Sequence, residues 1–243
     1  MIDIVGYCTR GYVTLVVNWL ASLDRLGIGQ HATVYCTTPE TTHRLWTLCE
    51  RYHWRTCLQH FPISRGPALY EQADWGTPQF SQLVIGRLEL LKALCEREPF
   101  RPFIQVDLDC AFVRDPLPYL RQLMPVDIRV QSNLVGPGIP SDREYCNGIA
   151  YYQVPCPGVP QLATELLLDH SGPGYLDDEG ALNEACRALA ICRAPLAIDL
   201  FPTGRVSWQT DPMIVHANWC VGIPAKIAML RRNGFWFAPE VEL

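Results

Sequence analysis

Lysine is nearly absent from this chain, which contains only Lys92 and Lys226 beside eighteen arginines. The formal net charge of -5 also lacks the basic excess that a surface for nucleic-acid phosphates usually shows. We therefore expect no nucleic-acid partner, and any anionic ligand must be bound by a few local cations.

The sequence also lacks paired cysteine motifs and long apolar runs. Its eleven cysteines, an odd number, are spread singly from Cys8 to Cys220, which favours free thiols over a disulfide framework or a zinc site. No apolar run reaches the roughly 18 residues that a membrane span needs, and the N-terminus carries no secretory-signal pattern. These features predict a soluble, cytoplasmic protein in a reducing compartment, without an integral membrane segment.

An alternation of strand and helix patterns runs through the chain. Strands are predicted at residues 2–7, 32–36, 55–58, 103–113, 128–131, 148–154 and 213–216. Helices are predicted at residues 13–26, 42–52, 80–95, 162–170, 179–190 and 224–232. This rhythm predicts an α/β fold with a mostly parallel central sheet flanked by helices. Because no internal repeat or linker interrupts the sequence, we expect a single domain over residues 1–243.

Two features of this pattern point toward function. Residues 62–78 are rich in Pro, Gly and polar residues and are predicted to form a long surface loop. Such a loop could close over a ligand and exclude water. Arg87 falls inside the apolar stripe of the helix predicted at 80–95, so it needs a partner for its charge.

Two aspartates, Asp107 and Asp109, interrupt the apolar run at 103–113. In one continuous strand they would project from the same face, where two like charges need a cation or a proton between them. Three explanations are open: a turn cap with an arginine partner such as Arg114, the nucleophile of a phosphatase, or a divalent metal shared with a diphosphate.

The surrounding sequence bears on these alternatives. A phosphatase of the haloacid-dehalogenase type is disfavoured, because Ala111 stands where that motif wants Thr or Val and because the motif belongs near the start of its domain. The metal explanation is favoured by the segment at 214–226, which contains His216 and Lys226. That segment offers an imidazole ligand and a phosphate-binding cation in one loop.

The segment VDLDCAFVRDPLPYL resembles the aspartate signature of the nucleotide-diphospho-sugar transferases, the GT-A glycosyltransferases, and in particular the branch of plant cell-wall xylosyltransferases. Three further segments follow in that family's order: CNGIAYY at 146–152, DEGALN at 178–183 and HANWCVGIPAK at 216–226. The resemblance implies one GT-A, Rossmann-like domain, with a nucleotide-binding half at 1–110 and an acceptor and sugar half at 111–243.

The resemblance also implies roles for the candidate ligands of a metal and a diphosphate. Asp107, Asp109 and His216 would bind Mn²⁺ or Mg²⁺, which assists departure of the nucleoside diphosphate. Asp107 would also lie near the ribose or sugar, and Lys226 and Arg87 would bind the phosphates. The rest of the implied nucleotide site follows the first strand, where an ordinary turn is the alternative: Thr9, Arg10, Gly11 and Tyr12.

Other residues are implied at the sugar. Asn147 and Gly148, with Asp177, would line the sugar pocket. Asp178 and Glu179 stand where related transferases commonly have Asp-Gln near the anomeric carbon, and they are the predicted catalytic pair. A glutamate there could act as nucleophile or stabilise an oxocarbenium-like state, whereas a helix cap is the alternative for the aspartates.

Aromatic residues at 235–237 and Trp75 are candidates for stacking on an acceptor sugar, with core or rim packing as the alternative.

The combined prediction is a metal-dependent glycosyltransferase that moves a sugar from a nucleotide-diphosphate donor, such as a UDP-sugar, to a hydroxyl of a glycan or other acceptor, with retention. Two alternatives stay open. A metal-dependent phosphohydrolase would release inorganic phosphate, and a non-catalytic sugar-nucleotide-binding module would bind without transfer.

Overall fold

The computed structural model describes residues 1–62, 78–97, 99–133, 145–169, 177–208 and 211–240. The strands in these ranges are β1 (Asp3–Cys8), β2 (Ala32–Cys36), β3 (Cys57–His60), β4 (Phe103–Val106), β5 (Cys110–Phe112), β6 (Ile128–Ser132), β7 (Tyr145–Tyr152), β8 (Arg193–Pro195) and β9 (Ile214–His216). The helices are α1 (Val13–Arg25), α2 (Pro39–Tyr52), α3 (Pro78–Arg97), α4 (Leu117–Gln122), α5 (Gly158–Asp169), α6 (Asp178–Ala188) and α7 (Ile223–Arg232). Almost all of the loop predicted at 62–78, including Trp75, lies outside the described residues.

The central sheet has seven strands in the order β3-β2-β1-β4-β7-β6-β8. The part from β3 to β4 is parallel, β7 runs antiparallel to both of its neighbours, and β8 is parallel to β6. The predicted α/β fold with a mostly parallel sheet is confirmed. Because the strand order reverses between β1 and β4, their carboxyl ends frame the position where open sheets of this kind bind ligands.

Local chemistry explains where the first helices begin and end. Thr38 Oγ1 accepts a hydrogen bond from Thr41 N at 3.1 Å, and Pro39 takes the first helical position of α2. This cap starts α2 earlier than the predicted residue 42. After α1 the chain turns at Gly27, whose φ of 67° lies in the left-handed region that favours glycine.

Two apolar clusters cover opposite faces of the sheet. Successive residues of β1 contribute to different clusters, Ile4 to one and Val5 to the other, as the alternation of strand side chains requires. Residues of α1 and α2 pack into the first cluster, and residues of α3, α5 and α6 into the second. Within the described ranges, none of the helices has the length and apolar character of a membrane span. The eleven cysteines are free thiols in this structure.

The single strand predicted at 103–113 is wrong. The ladder of β4 ends before Asp107, and a turn follows in which Cys110 N donates to Asp107 O at 3.1 Å. The chain then enters β5, which pairs antiparallel with β9 in a separate two-stranded sheet. Asp107 and Asp109 therefore do not share a strand face. The turn instead joins Asp109 to the end of β9, where Ala217 N donates to Asp109 O at 3.0 Å.

Candidate functional site

A cavity of about 510 Å³ lies at the carboxyl ends of β1 and β4. Its wall also includes residues of α3, of β7, of the first turn of α6 and of the loop from β9 to α7. Two of the predicted site residues, Arg10 and Gly11, are described by the structure but do not line the cavity. The structure brings the other predicted residues together on this wall: Thr9, Tyr12, Arg87, Asp107, Asp109, Asn147, Gly148, Asp177, Asp178, Glu179, His216 and Lys226.

Asp109 stands at the centre of the charge arrangement. Its carboxylate forms an ion pair with Lys226 Nζ, and its Oδ1 lies 3.2 Å from His216 Nε2. Burial alone would raise the pKa of Asp109, but Lys226 and His216 outweigh burial and hold that pKa well below its usual range. Burial would likewise lower the pKa of Lys226, yet the carboxylate of Asp109 raises it. Both groups therefore stay charged.

A buried glutamine, Gln131, orients His216. Gln131 Nε2 donates to the carbonyl oxygens of Phe201 and Pro202, at 3.0 and 3.1 Å. These two bonds determine which end of the amide faces the imidazole, so Gln131 Oε1 accepts from His216 Nδ1 at 2.8 Å. When the ring is neutral, its proton lies on Nδ1 and Nε2 turns its lone pair toward the aspartates.

Asp107 is held by different partners. Its Oδ1 accepts from Arg87 Nη1 and from Gln105 Nε2, each at 2.8 Å. Its Oδ2 lies 4.0 Å from His216 Nε2. Arg87 also forms an ion pair with Asp178, so the arginine of the apolar stripe has the partners that its position requires.

The donor atoms at this point suit a divalent cation. Asp109, Cys110 and His216 place one ligand atom each within 4.8 Å of one another, and Asp107 adds a second carboxylate to the same place. Carboxylate oxygens suit Mg²⁺ and Mn²⁺, whereas sulfur suits softer metals. Burial also raises the pKa of Cys110, which keeps that group a neutral thiol. The predicted ligand set of Asp107, Asp109 and His216 fits these ions better than a set that includes Cys110.

Three acidic residues at the start of α6 have separate partners. Asp177 is the N-cap, since its Oδ1 accepts from Gly180 N at 2.9 Å. Asp178 forms the ion pair with the arginine of α3 described above. Glu179 Oε1 accepts from Asn133 Nδ2 at 2.9 Å. The helix-cap alternative therefore applies to Asp177, and the predicted catalytic pair lies on the cavity wall with its carboxylates held in place.

Four polar atoms of the cavity wall have no hydrogen-bond partner within the described part of the chain: the Tyr7 hydroxyl oxygen, Thr9 Oγ1, Arg87 Nε and Asn147 Nδ2. All four atoms are buried, and buried polar groups of native proteins are nearly always paired. A ligand that carries hydroxyl, carbonyl or phosphate oxygens would supply the partners.

Gly148 has a steric role in addition to its predicted place beside the sugar. A Cβ at this position would lie 2.1 Å from His216 Cε1, far inside van der Waals contact. Only a residue without a side chain lets the imidazole approach β7 this closely. The backbone of β7 therefore helps to set the position of a candidate metal ligand on β9.

Sequence patterns did not point to two residues at the site, Gln131 and Trp219. Gln131 is the last residue of the strand predicted at 128–131 and has no motif around it. Trp219 lies on the loop after β9 and lines the cavity while 45% exposed. The aromatic residues predicted at 235–237 to stack on an acceptor pack elsewhere: the Phe235 ring lies 5.8 Å from that of Trp208 in an apolar cluster. For these aromatic residues the structure therefore favours core or rim packing over stacking on an acceptor sugar.

The family model of the nucleotide-diphospho-sugar transferases matches residues 43–230, well over half of the chain. No curated protein sequence matches the chain significantly. Several solved glycosyltransferases are similar in structure. Mouse xyloside xylosyltransferase 1 is 14% identical, with a TM-score of 0.56 over 92% of this chain and 99% of that one. The galactosyltransferase LgtC, solved with donor and acceptor sugar analogs, is 12% identical, with a TM-score of 0.61 over 98% of each chain.

A third structure is longer than this chain. The glycosyltransferase GlyE of Streptococcus pneumoniae is 11% identical, with a TM-score of 0.60 over 89% of this chain but only 54% of its own. At such identities these likenesses concern the fold alone. The family model adds a match in sequence, and its range includes the aspartate turn, the start of α6 and the histidine loop. On these grounds the chain belongs to the nucleotide-diphospho-sugar transferases, the glycosyltransferases of GT-A type.

Proposed function

We propose that the protein is a metal-dependent enzyme that moves a sugar from a UDP-sugar to a hydroxyl of a glycan acceptor, with retention of configuration. The observation that carries the proposal is the meeting of carboxylates, an imidazole and an ammonium group in one cavity. Asp107, Asp109 and His216 offer ligands to a divalent cation, and Lys226 offers a positive charge beside them. A diphosphate is a ligand that uses both at once.

The residues of the site would divide the work as follows. A bound Mn²⁺ or Mg²⁺ supplies Lewis-acid stabilisation of the charge on the departing diphosphate. Because the pKa of Lys226 is raised by Asp109 against the effect of burial, the ammonium group stays protonated and can bind the phosphates as the donor enters. The presence of an imidazole among the ligands favours Mn²⁺ over Mg²⁺, since imidazole suits transition metals.

The nucleoside is proposed to lie against β1 and α3. Tyr7 and Phe80 pack with Leu83 on this side of the cavity and offer an apolar surface for a base. The buried hydroxyl groups of Tyr7 and Thr9 supply hydrogen bonds for its polar atoms or for the ribose. The sugar would follow the diphosphate toward β7 and α6, where the buried Asn147 Nδ2 has no hydrogen-bond partner among the described residues.

Retention is proposed on the basis of Glu179. A carboxylate held beside the anomeric carbon can form a covalent intermediate or stabilise an oxocarbenium-like state. We expect Glu179→Gln to bind UDP normally and to lose at least about hundredfold in kcat. Glu184→Gln, at an exposed position of the same helix, is the control. An NMR spectrum of the product's anomeric proton determines the configuration, and full activity of Glu179→Gln would exclude a nucleophilic role.

Isothermal titration with UDP, with and without Mn²⁺, tests the proposed function. We expect binding that requires Mn²⁺ and that is lost in the near-isosteric variants Asp109→Asn and His216→Gln. Asp24→Asn and His43→Gln change the same residue types at exposed positions outside the cavity wall and should bind like the wild type. Thermal unfolding of every variant separates loss of the fold from loss of the site.

Activity assays separate the alternatives. Incubation with UDP-glucose, UDP-galactose or UDP-xylose should release UDP in a Mn²⁺-dependent manner, and faster when an acceptor is present. Release of inorganic phosphate from p-nitrophenyl phosphate without any effect of UDP would favour the phosphohydrolase. Tight UDP binding with neither transfer nor hydrolysis would favour a non-catalytic module. A wild-type protein that does not bind UDP in Mn²⁺ contradicts the proposal.

A further inference from the structure

The loop between β9 and α7 exposes a tryptophan at the mouth of the cavity. This loop begins after His216 and ends at Gly222, so it connects the candidate metal ligand to the helix that carries Lys226. Trp219 lies in its middle, lines the cavity and is 45% exposed. Its φ of 60° lies in the left-handed region, which is rare and costly for a bulky residue. The fold thus holds a large apolar ring at the rim in an unfavourable backbone conformation.

Neighbouring residues hold the ring in this position. The guanidinium carbon of Arg205 lies 3.4 Å from the centroid of the Trp219 ring, which is a cation–π contact. Next to it, Gly204 N donates to Asn218 Oδ1 at 2.6 Å. A Cβ on Gly204 would lie 2.1 Å from the carbonyl oxygen of Asn218, so the two segments are in direct backbone contact. One face of the indole is covered, and the loop beneath it is anchored.

An aromatic ring that is fixed on one side and open on the other is suited to bind a flat apolar surface. The C–H face of a pyranose is such a surface, and packing on it leaves the hydroxyl groups free for hydrogen bonds. The backbone of Trp219 is strained, and its ring exposes apolar area to water when no ligand is bound. A stacked sugar would cover that area. A rim position also leaves room for the remainder of a glycan to extend into solvent.

We propose that Trp219 is the stacking platform for the acceptor, and that the acceptor is a pyranose-containing glycan. This inference rests on the proposed function and names the substrate class of the same cavity. The proposed donor contacts other parts of the cavity wall, because its diphosphate would face Asp109 and Lys226 and its base would face β1 and α3. The half-exposed rim is left for the second substrate, whose hydroxyl oxygen forms the new bond to the anomeric carbon on the face from which UDP departs, while the hydroxyl proton passes to the departing diphosphate.

Titration with simple pyranosides tests this assignment. The probes are methyl β-D-glucopyranoside, methyl β-D-galactopyranoside, methyl β-D-xylopyranoside and methyl α-D-mannopyranoside, each added to the protein saturated with UDP and Mg²⁺, because paramagnetic Mn²⁺ would broaden the resonances of nearby residues. With ¹⁵N-labelled tryptophan, we expect at least one probe to shift the indole N–H resonance of Trp219, which is assigned by its loss in Trp219→Phe. The dissociation constant of that probe should rise about tenfold in Trp219→Ala and less in Trp219→Phe.

A matched control and two readouts make the outcomes distinct. Trp46 is 53% exposed, stacks on His43 and lies outside the cavity wall, so Trp46→Ala should bind UDP and the pyranoside normally. Trp219→Ala should keep the UDP affinity within about twofold. A wild type without UDP binding contradicts the proposed function itself. Normal UDP binding without any pyranoside effect on Trp219, or a Trp219→Ala defect in UDP affinity equal to that in pyranoside affinity, overturns the platform alone.

Discussion

Gln131 Oε1 accepts a hydrogen bond from His216 Nδ1 at 2.8 Å, and the other end of the same amide donates to two backbone carbonyls. The amide therefore cannot turn over without losing both donor bonds and placing an N–H group against the imidazole. This arrangement keeps Nε2 available for a metal. Substitution of a residue that orients a metal-binding histidine in this way typically lowers metal affinity by about 10–100-fold.

Removal of the glutamine should weaken the proposed metal site. We expect Gln131→Leu to lower the affinity for Mn²⁺ by about 10–100-fold in the presence of UDP, measured by electron paramagnetic resonance. Gln161→Leu, at an exposed position of α5, is the control and should leave the affinity unchanged.

A second variant separates positioning from packing. Gln131→Glu keeps an acceptor for Nδ1 but loses the two donor bonds, so it should bind Mn²⁺ more nearly like the wild type while the free energy of unfolding falls. If Gln131→Leu bound Mn²⁺ with unchanged affinity, the orienting role would be wrong.

Arg87 is expected to be important for stability, because it bridges two carboxylates. Its guanidinium pairs with Asp107 and Asp178 while its side chain is only 13% exposed. Arg87→Met would leave both acids close together without a cation, and we expect the free energy of unfolding to fall by about 3–5 kcal/mol in urea titrations. Lys92→Met removes an exposed pair with Glu96 from the same helix and should cost less than about 0.5 kcal/mol. Equal effects of the two variants would contradict this role.

Gly148 should tolerate no side chain. Because a Cβ there would lie 2.1 Å from His216 Cε1, Gly148→Ala must displace the imidazole or the strand. We expect a loss of about 1–3 kcal/mol in stability and a clear loss of Mn²⁺ affinity. Gly158→Ala is the matched control, since the nearest atom to its added Cβ is Leu189 Cδ1 at an ordinary 3.5 Å. Wild-type Mn²⁺ affinity in Gly148→Ala would show that the site does not depend on this close approach.

The resemblance was sufficient to predict that Asp107, Asp109 and His216 lie close together. The structure brings them together by pairing β9, which ends at His216, with β5, outside the seven-stranded sheet. The unusual place of Arg87 in an apolar stripe likewise required a partner for its charge, and the structure supplies two carboxylates. The prediction for Arg87 succeeds because it depends on helix periodicity, which is a local property.

The path of the backbone at the aspartates could not be predicted in the same way. An apolar run at 103–113 is compatible with one long strand or with two short strands joined by a turn, and only the pairing of β5 with β9 decides between them. The roles of Gln131 and Trp219 depend on partners about seventy and fourteen residues away along the chain, at Phe201 and Arg205, so neither has a local pattern.

Acid should weaken the fold through Asp109. The pKa of this carboxyl is held well below that of an unfolded aspartate, about 3.9, because the effect of burial is outweighed by Lys226 and His216. The unfolded chain therefore binds the proton more readily than the folded one. The stabilisation is complete above about pH 4 and is lost progressively as the pH falls below that value toward the pKa of the folded state.

Urea titrations of the metal-free protein at a series of pH values down to about pH 3 measure this contribution. Asp109→Asn cannot take up the proton, so its free energy of unfolding should fall less than that of the wild type over the acid range, although it starts lower because Lys226 has lost its partner. Asp24→Asn changes an exposed aspartate and should follow the wild-type curve. A carboxyl that stays ionised only through its partner must take up a proton when the chain unfolds in acid. If the wild type and Asp109→Asn lost stability in parallel below about pH 4, the ion pair with Lys226 would therefore not be the source of the acid sensitivity.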